Sequence, residues 1–273
     1  MNDRNIHMLY FSGTGTTART VKTIGSRLAC ALNLPLIEDE ITTPEARENI
    51  RSFSEDSIVV VGMPTYAGRL PNKIVPFLSE KVRGNRAAAI PVVLFGNRSF
   101  DNALAELCRV LTAARFRIPA AGAFVGQHAF SAKLAPGRPD GRDEREMKAF
   151  ADGVLTRLRD GVFPPISVPG DADAPYYRPV GEDGKSVKIL KVAPVTNAER
   201  CRGCGACVDR CAMGAVRLNE NGFSETTGVC IKCCRCIQSC PAQARSFQDP
   251  EFLSHVAMLE KSHAARKSNS VFL

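Results

Sequence analysis

Over roughly the first 160 residues, apolar positions recur in two alternating rhythms. Short β-branched runs at residues 6–12, 34–37, 57–62, 91–96 and 118–126 read as strands. Between them, apolar residues spaced three and four apart at 16–32, 72–83, 100–114 and 142–159 read as helices. Strand and helix in alternation predict an α/β fold, a parallel sheet covered on both faces. Five strands suit the doubly wound order 2-1-3-4-5. The second strand, followed by the weakly patterned segment 38–56, carries the faintest signal.

Proline then breaks the rhythm. Residues 163–196 hold six of the chain's 17 prolines, a density that excludes helices and central strands. This stretch reads as a linker, with Tyr176, Tyr177, Ile189 and Leu190 as handles for docking part of it. Residues 197–249 are rich in cysteine, and 250–273 comprise a short helix and a polar, basic tail expected to fray. The expected units are therefore 1–162, 163–196, 197–249 and 250–273.

Composition changes this picture in one respect. A chain of 273 residues, 44% hydrophobic and 23% charged, is ordinary for about two folded domains, which excludes disorder throughout. No run of about 18 apolar residues is present to span a membrane. The first residues lead straight into a strand without the pattern of a secretory leader, so a cytoplasmic location is expected. The anomaly is cysteine: nine of 11 lie between Cys201 and Cys240. In a cytoplasmic chain such clustering points to metal rather than disulfides. Cys30 and Cys108 fall on helical patterns and read as core.

The cysteines form two sets, Cys201-x2-Cys204-x2-Cys207-x3-Cys211 and Cys230-x2-Cys233-x2-Cys236-x3-Cys240, offset by 29 residues throughout. An alanine four residues after each last cysteine, Ala215 and Ala244, repeats as well, which marks an internal duplication. Three thiolates at i, i+3 and i+6 grip three corners of one iron–sulfur cube. The fourth, carried off on a helix, reaches the cube of the other half. One cluster then takes Cys201, Cys204, Cys207 and Cys240, the other Cys230, Cys233, Cys236 and Cys211. Gly203 and Gly205 free the first loop so that its N–H groups aim at sulfur. A pair of zinc knots is the alternative, but zinc uses two CxxC pairs and needs no such triplet. Cys234 reads as a small buried thiol. The module resembles bacterial-type ferredoxins with two [4Fe–4S] clusters, a small α+β domain. That family carries proline after each fourth cysteine; here Pro241 follows Cys240, but Ala212 follows Cys211.

The first strand ends in Ser12-Gly13-Thr14-Gly15-Thr16-Thr17-Ala18, a glycine turn opening a helix, where a phosphate belongs. Gly13-x-Gly15-x-x-Ala18 satisfies the dinucleotide fingerprint, and Glu38, Asp39 and Glu40 lie where a ribose partner would sit. Four hydroxyls (Ser12, Thr14, Thr16 and Thr17) argue instead for a terminal monophosphate, which has more oxygens to satisfy than a pyrophosphate passing through. The loop resembles the flavodoxin phosphate loop. Two further loops fit that resemblance: Pro64-Thr65-Tyr66-Ala67-Gly68 after the third strand and Gly96-Asn97-Arg98-Ser99-Phe100-Asp101 after the fourth. In flavodoxin-like proteins these positions flank the flavin ring. With no Trp in the chain, Tyr66 is the first aromatic candidate to stack on it and Phe100 the second. A long loop from Gly126 to Arg142 contributes His128, the candidate catalytic residue, placed to give a proton or a hydrogen bond; a solvated loop histidine is the plain alternative.

The whole chain resembles flavodoxin–ferredoxin fusions, 4Fe–4S-binding flavodoxin-like proteins. The resemblance implies FMN and two [4Fe–4S] clusters in an electron-transfer flavoprotein serving redox partner proteins. Its alternatives are an FMN-dependent reductase of a small organic acceptor at the flavin, or a redox or iron sensor. Transfer within one chain or between chains of a homodimer is open. The formal charge of +8 and pI near 9.0 fall to about +2 net once two clusters and one phosphate, each about −2, are counted. No clustered basic run points to nucleic acid.

Overall fold

A computed structural model describes residues 4–161 and 163–273; Met1–Asp3 and Val162, where the first predicted unit ends, lie outside the described residues. In chain order the first part contains β1 (Ile6–Tyr10), α1 (Thr16–Leu32), β2 (Leu36–Glu40), β3 (Ile58–Pro64), α2 (Val75–Lys81), β4 (Ala88–Phe95), α3 (Ala103–Ala113), β5 (Ala121–Val125) and α4 (Gly141–Asp160). These five strands are parallel and lie in the order β2-β1-β3-β4-β5. That is the doubly wound, flavodoxin-like order.

The strand period explains the two cores. Leu9, Val59, Val61, Ala89, Val93 and Ala123 face α2 and α3. Met8, Ile58, Val60, Ile90, Val92 and Phe124 face α1 and α4. At Gly62 a Cβ would come within 2.2 Å of Val21, so the glycine is what lets α1 lie directly on β3.

β2 begins two residues later than its sequence predicts, because Leu34 is spent in the α1 C-cap, its N–H donating to the Ala29 carbonyl. Its acidic residues are satisfied as structure. His7 pairs with Asp39 at 3.0 Å, Lys22 with Glu38 at 2.7 Å and Arg235 with Glu40 at 2.8 Å.

The cysteine-rich part adds β6 (Val195–Thr196), α5 (Ala206–Asp209), β7 (Val216–Leu218), β8 (Ser224–Thr226), α6 (Arg235–Gln238) and β9 (Arg245–Ser246). The 29-residue repeat maps α5 onto α6, β6 onto β8 and β7 onto β9. Pairing is swapped between halves: β9 pairs with β6, and β8 with β7, both antiparallel.

The last element overturns an expectation. After α7 (Pro250–Ser262) the tail does not fray. Asn97 Nδ2 donates to the carbonyls of His263 (2.6 Å) and Ala265 (2.9 Å), while its Oδ1 accepts from the Lys267 N–H (3.1 Å). Asn269 Oδ1 accepts from the Val125 N–H at 2.9 Å. β10 (Ser270–Phe272) then adds antiparallel to β5 as a sixth strand. Arg266 of this tail reaches two carboxylates, Asp140 at 2.6 Å and Asp143 at 3.4 Å. The proline-rich stretch is ordered against the first part: Tyr177 N–H donates to the Ala67 carbonyl, Tyr176 Oη to the Leu70 carbonyl, both at 2.8 Å. Ile189 is buried, whereas Leu190, its expected companion, is 89% exposed. Among the described residues no helix is long and apolar enough to cross a membrane.

Candidate functional site

Beyond the carboxyl ends of β1, β3, β4 and β5 lies a cavity of about 510 Å³, within the range typical of cofactor sites. Its floor is the glycine–threonine turn. Gly15, with φ of 88°, caps α1, and the N–H groups of Gly13, Thr14 and Gly15 find no protein acceptor among the described residues. The first turn of α1 adds its own free donors. Thr14, Thr16 and Thr17 line the cavity, whereas Ser12 is turned to structure: its Oγ accepts from the Ala18 N–H at 3.2 Å.

The second loop supplies Pro64, Thr65, Tyr66, Ala67 and Gly68 to the lining. Residues 66–69 close a tight turn with Ala67 and Gly68 both at positive φ (48° and 78°), and Tyr66 and Arg69 exchange both backbone hydrogen bonds. A buried ion pair anchors this turn, Arg69 to Glu106 at 2.6 Å. Thr65 Oγ1 is buried without a partner, a polar atom left for a ligand to satisfy. Burial, with the Cys233, Cys234 and Cys230 thiols beside it, pushes the Tyr66 hydroxyl well above its usual range, so it stays protonated.

The third loop divides. Gly96 and Arg98 line the cavity, but Asn97, Phe100 and Asp101 do not. Asn97 is the clasp of the C-terminal tail, Phe100 packs on Phe95 with ring centroids 5.5 Å apart, and Asp101 pairs with Arg98. His128 lies against Gly96, where a Cβ would come within 2.3 Å of the ring. Its loop is ordered rather than solvated: His128 N–H donates to the Leu134 carbonyl (3.1 Å), and Nδ1 accepts from the Phe130 N–H (3.1 Å). That bond leaves the proton on Nε2. Desolvation, with His255, Arg98 and His263 nearby, lowers the His128 pKa to about 4, so the ring is neutral at physiological pH.

Sequence reasoning missed several wall residues. Tyr176, Tyr177, Ile189 and Leu190 close one side and His255 and Leu259 of α7 another. The aromatic pair among prolines was a signal; His255, alone on a short helix, gave none. His255 is held by its Nδ1 against the Val180 carbonyl at 2.8 Å.

The remaining wall is the second cysteine loop, Val229 to Cys233. It sits on the glycine turn itself: a Cβ on Gly13 would lie 2.6 Å from the Cys233 carbonyl oxygen. Arg235 fastens the contact, Nη1 donating to the Ser12 carbonyl and to Glu40, each at 2.8 Å. Arg47 does the same on the other flank, Nη2 donating to the Ala212 carbonyl at 2.7 Å. Ala212 is fully buried in the main core, so a larger ring has little room there; its counterpart Pro241 is exposed.

Cys211, Cys230, Cys233, Cys234 and Cys236 surround a second, small cavity with Pro194, Val216 and Thr226. Four of these are the set expected to share one cluster. Burial pushes the Cys233 thiol up to about 12, with Cys236, Cys230 and Cys211 close enough to add to it.

The two repeats receive the same backbone donors: Ala215 N–H to Cys211 Sγ and Ala244 N–H to Cys240 Sγ, both 3.2 Å. This is the physical content of the repeated alanines. The Lys232 N–H donates to Cys230 Sγ at 3.4 Å, and the Gly203 backbone lies beside Cys201 at the equivalent place in the first repeat. Amides aimed at sulfur, a swapped fourth cysteine and an enclosing cavity fit cubane ligation at Cys211, Cys230, Cys233 and Cys236. Cys204 is exposed and Cys201 partly so. Cys234 is buried as expected, whereas Cys30 is exposed rather than in the core. Among the described residues no group of three or more His, Cys, Asp or Glu side chains is drawn together closely enough to hold a metal ion.

No family model and no curated protein matches the chain. Solved structures resemble its first part. A flavodoxin from the domain Archaea shares 12% identity over 57% of this chain and 99% of its own, with a TM-score of 0.41. The apo form of the NADH:FMN oxidoreductase EMOB shares 17% over 57% and 89%, at 0.43. Flavodoxin 2 from Bacillus cereus shares 16% over 56% and 99%, at 0.38.

Proposed function

We propose that the chain is an electron-transfer flavoprotein, with FMN in the large cavity and a [4Fe–4S] cluster on each cysteine set. The flavin exchanges electrons in pairs and the clusters exchange them singly. The residues divide the work by position. The free N–H groups of Gly13 to Gly15 and the hydroxyls of Thr14, Thr16 and Thr17 hold the phosphate, with α1's positive end behind them. Thr65 Oγ1, Tyr66 and the backbone at Gly96 and Arg98 face the rest of the ligand. His128 presents a neutral Nε2–H donor. Cys230 and Cys233 share the cavity wall, while Cys204 faces solvent. Current therefore has an outer terminal at the first cysteine loop and an inner one at the second.

The observation that carries this reading is the seating of Cys233 on Gly13, which joins the phosphate turn and a cluster loop within one chain. Protein purified under nitrogen is expected to show flavin bands over a broad iron–sulfur absorption. It should contain about eight iron atoms per chain. Zinc without iron would contradict the reading.

Reduction of a small organic acceptor is a second reading, favoured by His128 and His255, which both line the cavity. In a His128→Ala variant, loss of activity toward the organic acceptor with unchanged rates toward an artificial one-electron acceptor supports it. Equal rates with both acceptors count against it.

A further inference from the structure

Arg245 is sealed inside the cysteine module at 2% exposure, on β9, where the first repeat has Val216. A guanidinium cannot lose its charge there, and burying one without a counter-charge is strongly unfavourable. Yet every hydrogen-bond partner is neutral. Nη1 donates to Thr196 Oγ1 and Ser224 Oγ, both at 3.1 Å. Nη2 donates to the Pro194 carbonyl at 3.1 Å and to Thr226 Oγ1 at 2.6 Å. Among the described residues no carboxylate pairs with it, Nε is buried without a hydrogen-bond partner, and the ionisable group set beside the guanidinium within the second cysteine set is the Cys236 thiol.

Its surroundings identify the missing anion. Pro194 and Thr226, which hold Nη2, line the small cavity enclosed by the second cysteine set. Ser224, which holds Nη1, lies beside Cys201 of the first set, and the guanidinium itself is close enough to act on that thiol. The swapped pairing of β9 with β6 and of β8 with β7 places the guanidinium against both. We propose that Arg245 is the shared internal counter-charge of the two cluster sites, a positioning residue that sets both reduction potentials together. This rests on the cluster reading above. Each oxidised cluster with four thiolates carries about −2, and reduction adds a further negative charge. Without the guanidinium both clusters become harder to reduce.

The test is an electron paramagnetic resonance redox titration of anaerobic holoprotein carrying Arg245→Gln or Arg245→Lys. Glutamine still hydrogen-bonds the same hydroxyls but carries no charge. It is expected to lower the reduced-to-oxidised ratio of both clusters at least tenfold at a fixed potential, about 59 mV for a one-electron couple. Lysine is expected to stay within about threefold of wild type. Clusters lost in the glutamine variant but kept in the lysine variant equally support the charge requirement. Wild-type potentials in the glutamine variant, a shift confined to one cluster, or lysine failing as completely as glutamine would overturn the proposal. Iron content keeps the two claims apart. A wild-type protein without iron defeats the cluster reading, whereas full iron with unmoved potentials defeats only the role of Arg245.

Discussion

The two cysteine repeats share ligand spacing, sulfur-directed amides and three left-handed backbone positions, but their surroundings differ. In the first, those positions are Gly203, Gly205 and Gly214, at φ of 64°, 73° and 60°, and the loop faces solvent at Cys204. In the second they are Lys232, Cys234 and Gln243, at 58°, 60° and 48°, and the loop lies against the glycine turn of the first part. Non-glycine residues in this region are strained by about 1–3 kcal/mol each, and here each side chain has a place. Lys232 Nζ donates to the Leu190 carbonyl at 2.8 Å, Cys234 is buried in the interface, and Gln243 reaches toward Arg200 at 3.5 Å. A duplicated motif has thus become one loop exposed at Cys204 and one loop fixed against the cavity.

The largest way to break the comparison is to remove one ligand from each repeat. Cys233→Ala and Cys204→Ala are each expected to lower iron from about eight to about four per chain. Only Cys233→Ala should also slow electron exchange with the flavin, by at least tenfold, in a direct anaerobic mixing experiment. Equal effects of the two would erase the inner and outer assignment.

Gly13→Ala attacks the contact itself. A methyl 2.6 Å from the Cys233 carbonyl forces the loops apart and is expected to destabilise the protein by about 1–3 kcal/mol. Flavin affinity, read by fluorescence titration, should weaken at least tenfold.

These two loops show where sequence is legible. Ligand spacing and the glycine–threonine turn are local patterns of a few residues, and their chemistry can be read without the fold. Asn97 looks like a flavin-loop residue by position, yet it closes a contact about 170 residues along the chain, for which no local pattern exists. β10 is three residues long and has no period to detect. It forms because β5 offers it an edge and Asn97, Asp140 and Asn269 steer the tail there. Ala212 likewise departs from the ferredoxin pattern for a reason visible only when its burial against the first part is known.

Smaller effects sharpen these points. Asn97→Ala removes three hydrogen bonds at a residue with φ of 67° and is expected to cost about 2 kcal/mol by denaturant titration. His128 gives a pH dependence. Its folded pKa, about 4, lies below that of the unfolded chain, near 6.5. Between these values the unfolded state binds the extra proton, so this contribution favours folding above pH 6.5 and is lost as pH falls toward 4. His128→Gln should flatten that part of the thermal-stability profile, and an unchanged profile would argue against a desolvated ring. Smallest, Gln243→Gly relieves a left-handed residue on an exposed turn and is expected to change stability by less than about 1 kcal/mol, in the stabilising direction.

The most direct measurement of the central claim is the rate at which electrons placed on the clusters reach the flavin, followed by flash photoreduction over a hundredfold range of protein concentration. A cavity shared by the phosphate turn and the second cysteine loop of one chain predicts a first-order rate that does not change on dilution. A rate that falls in proportion to concentration would contradict it.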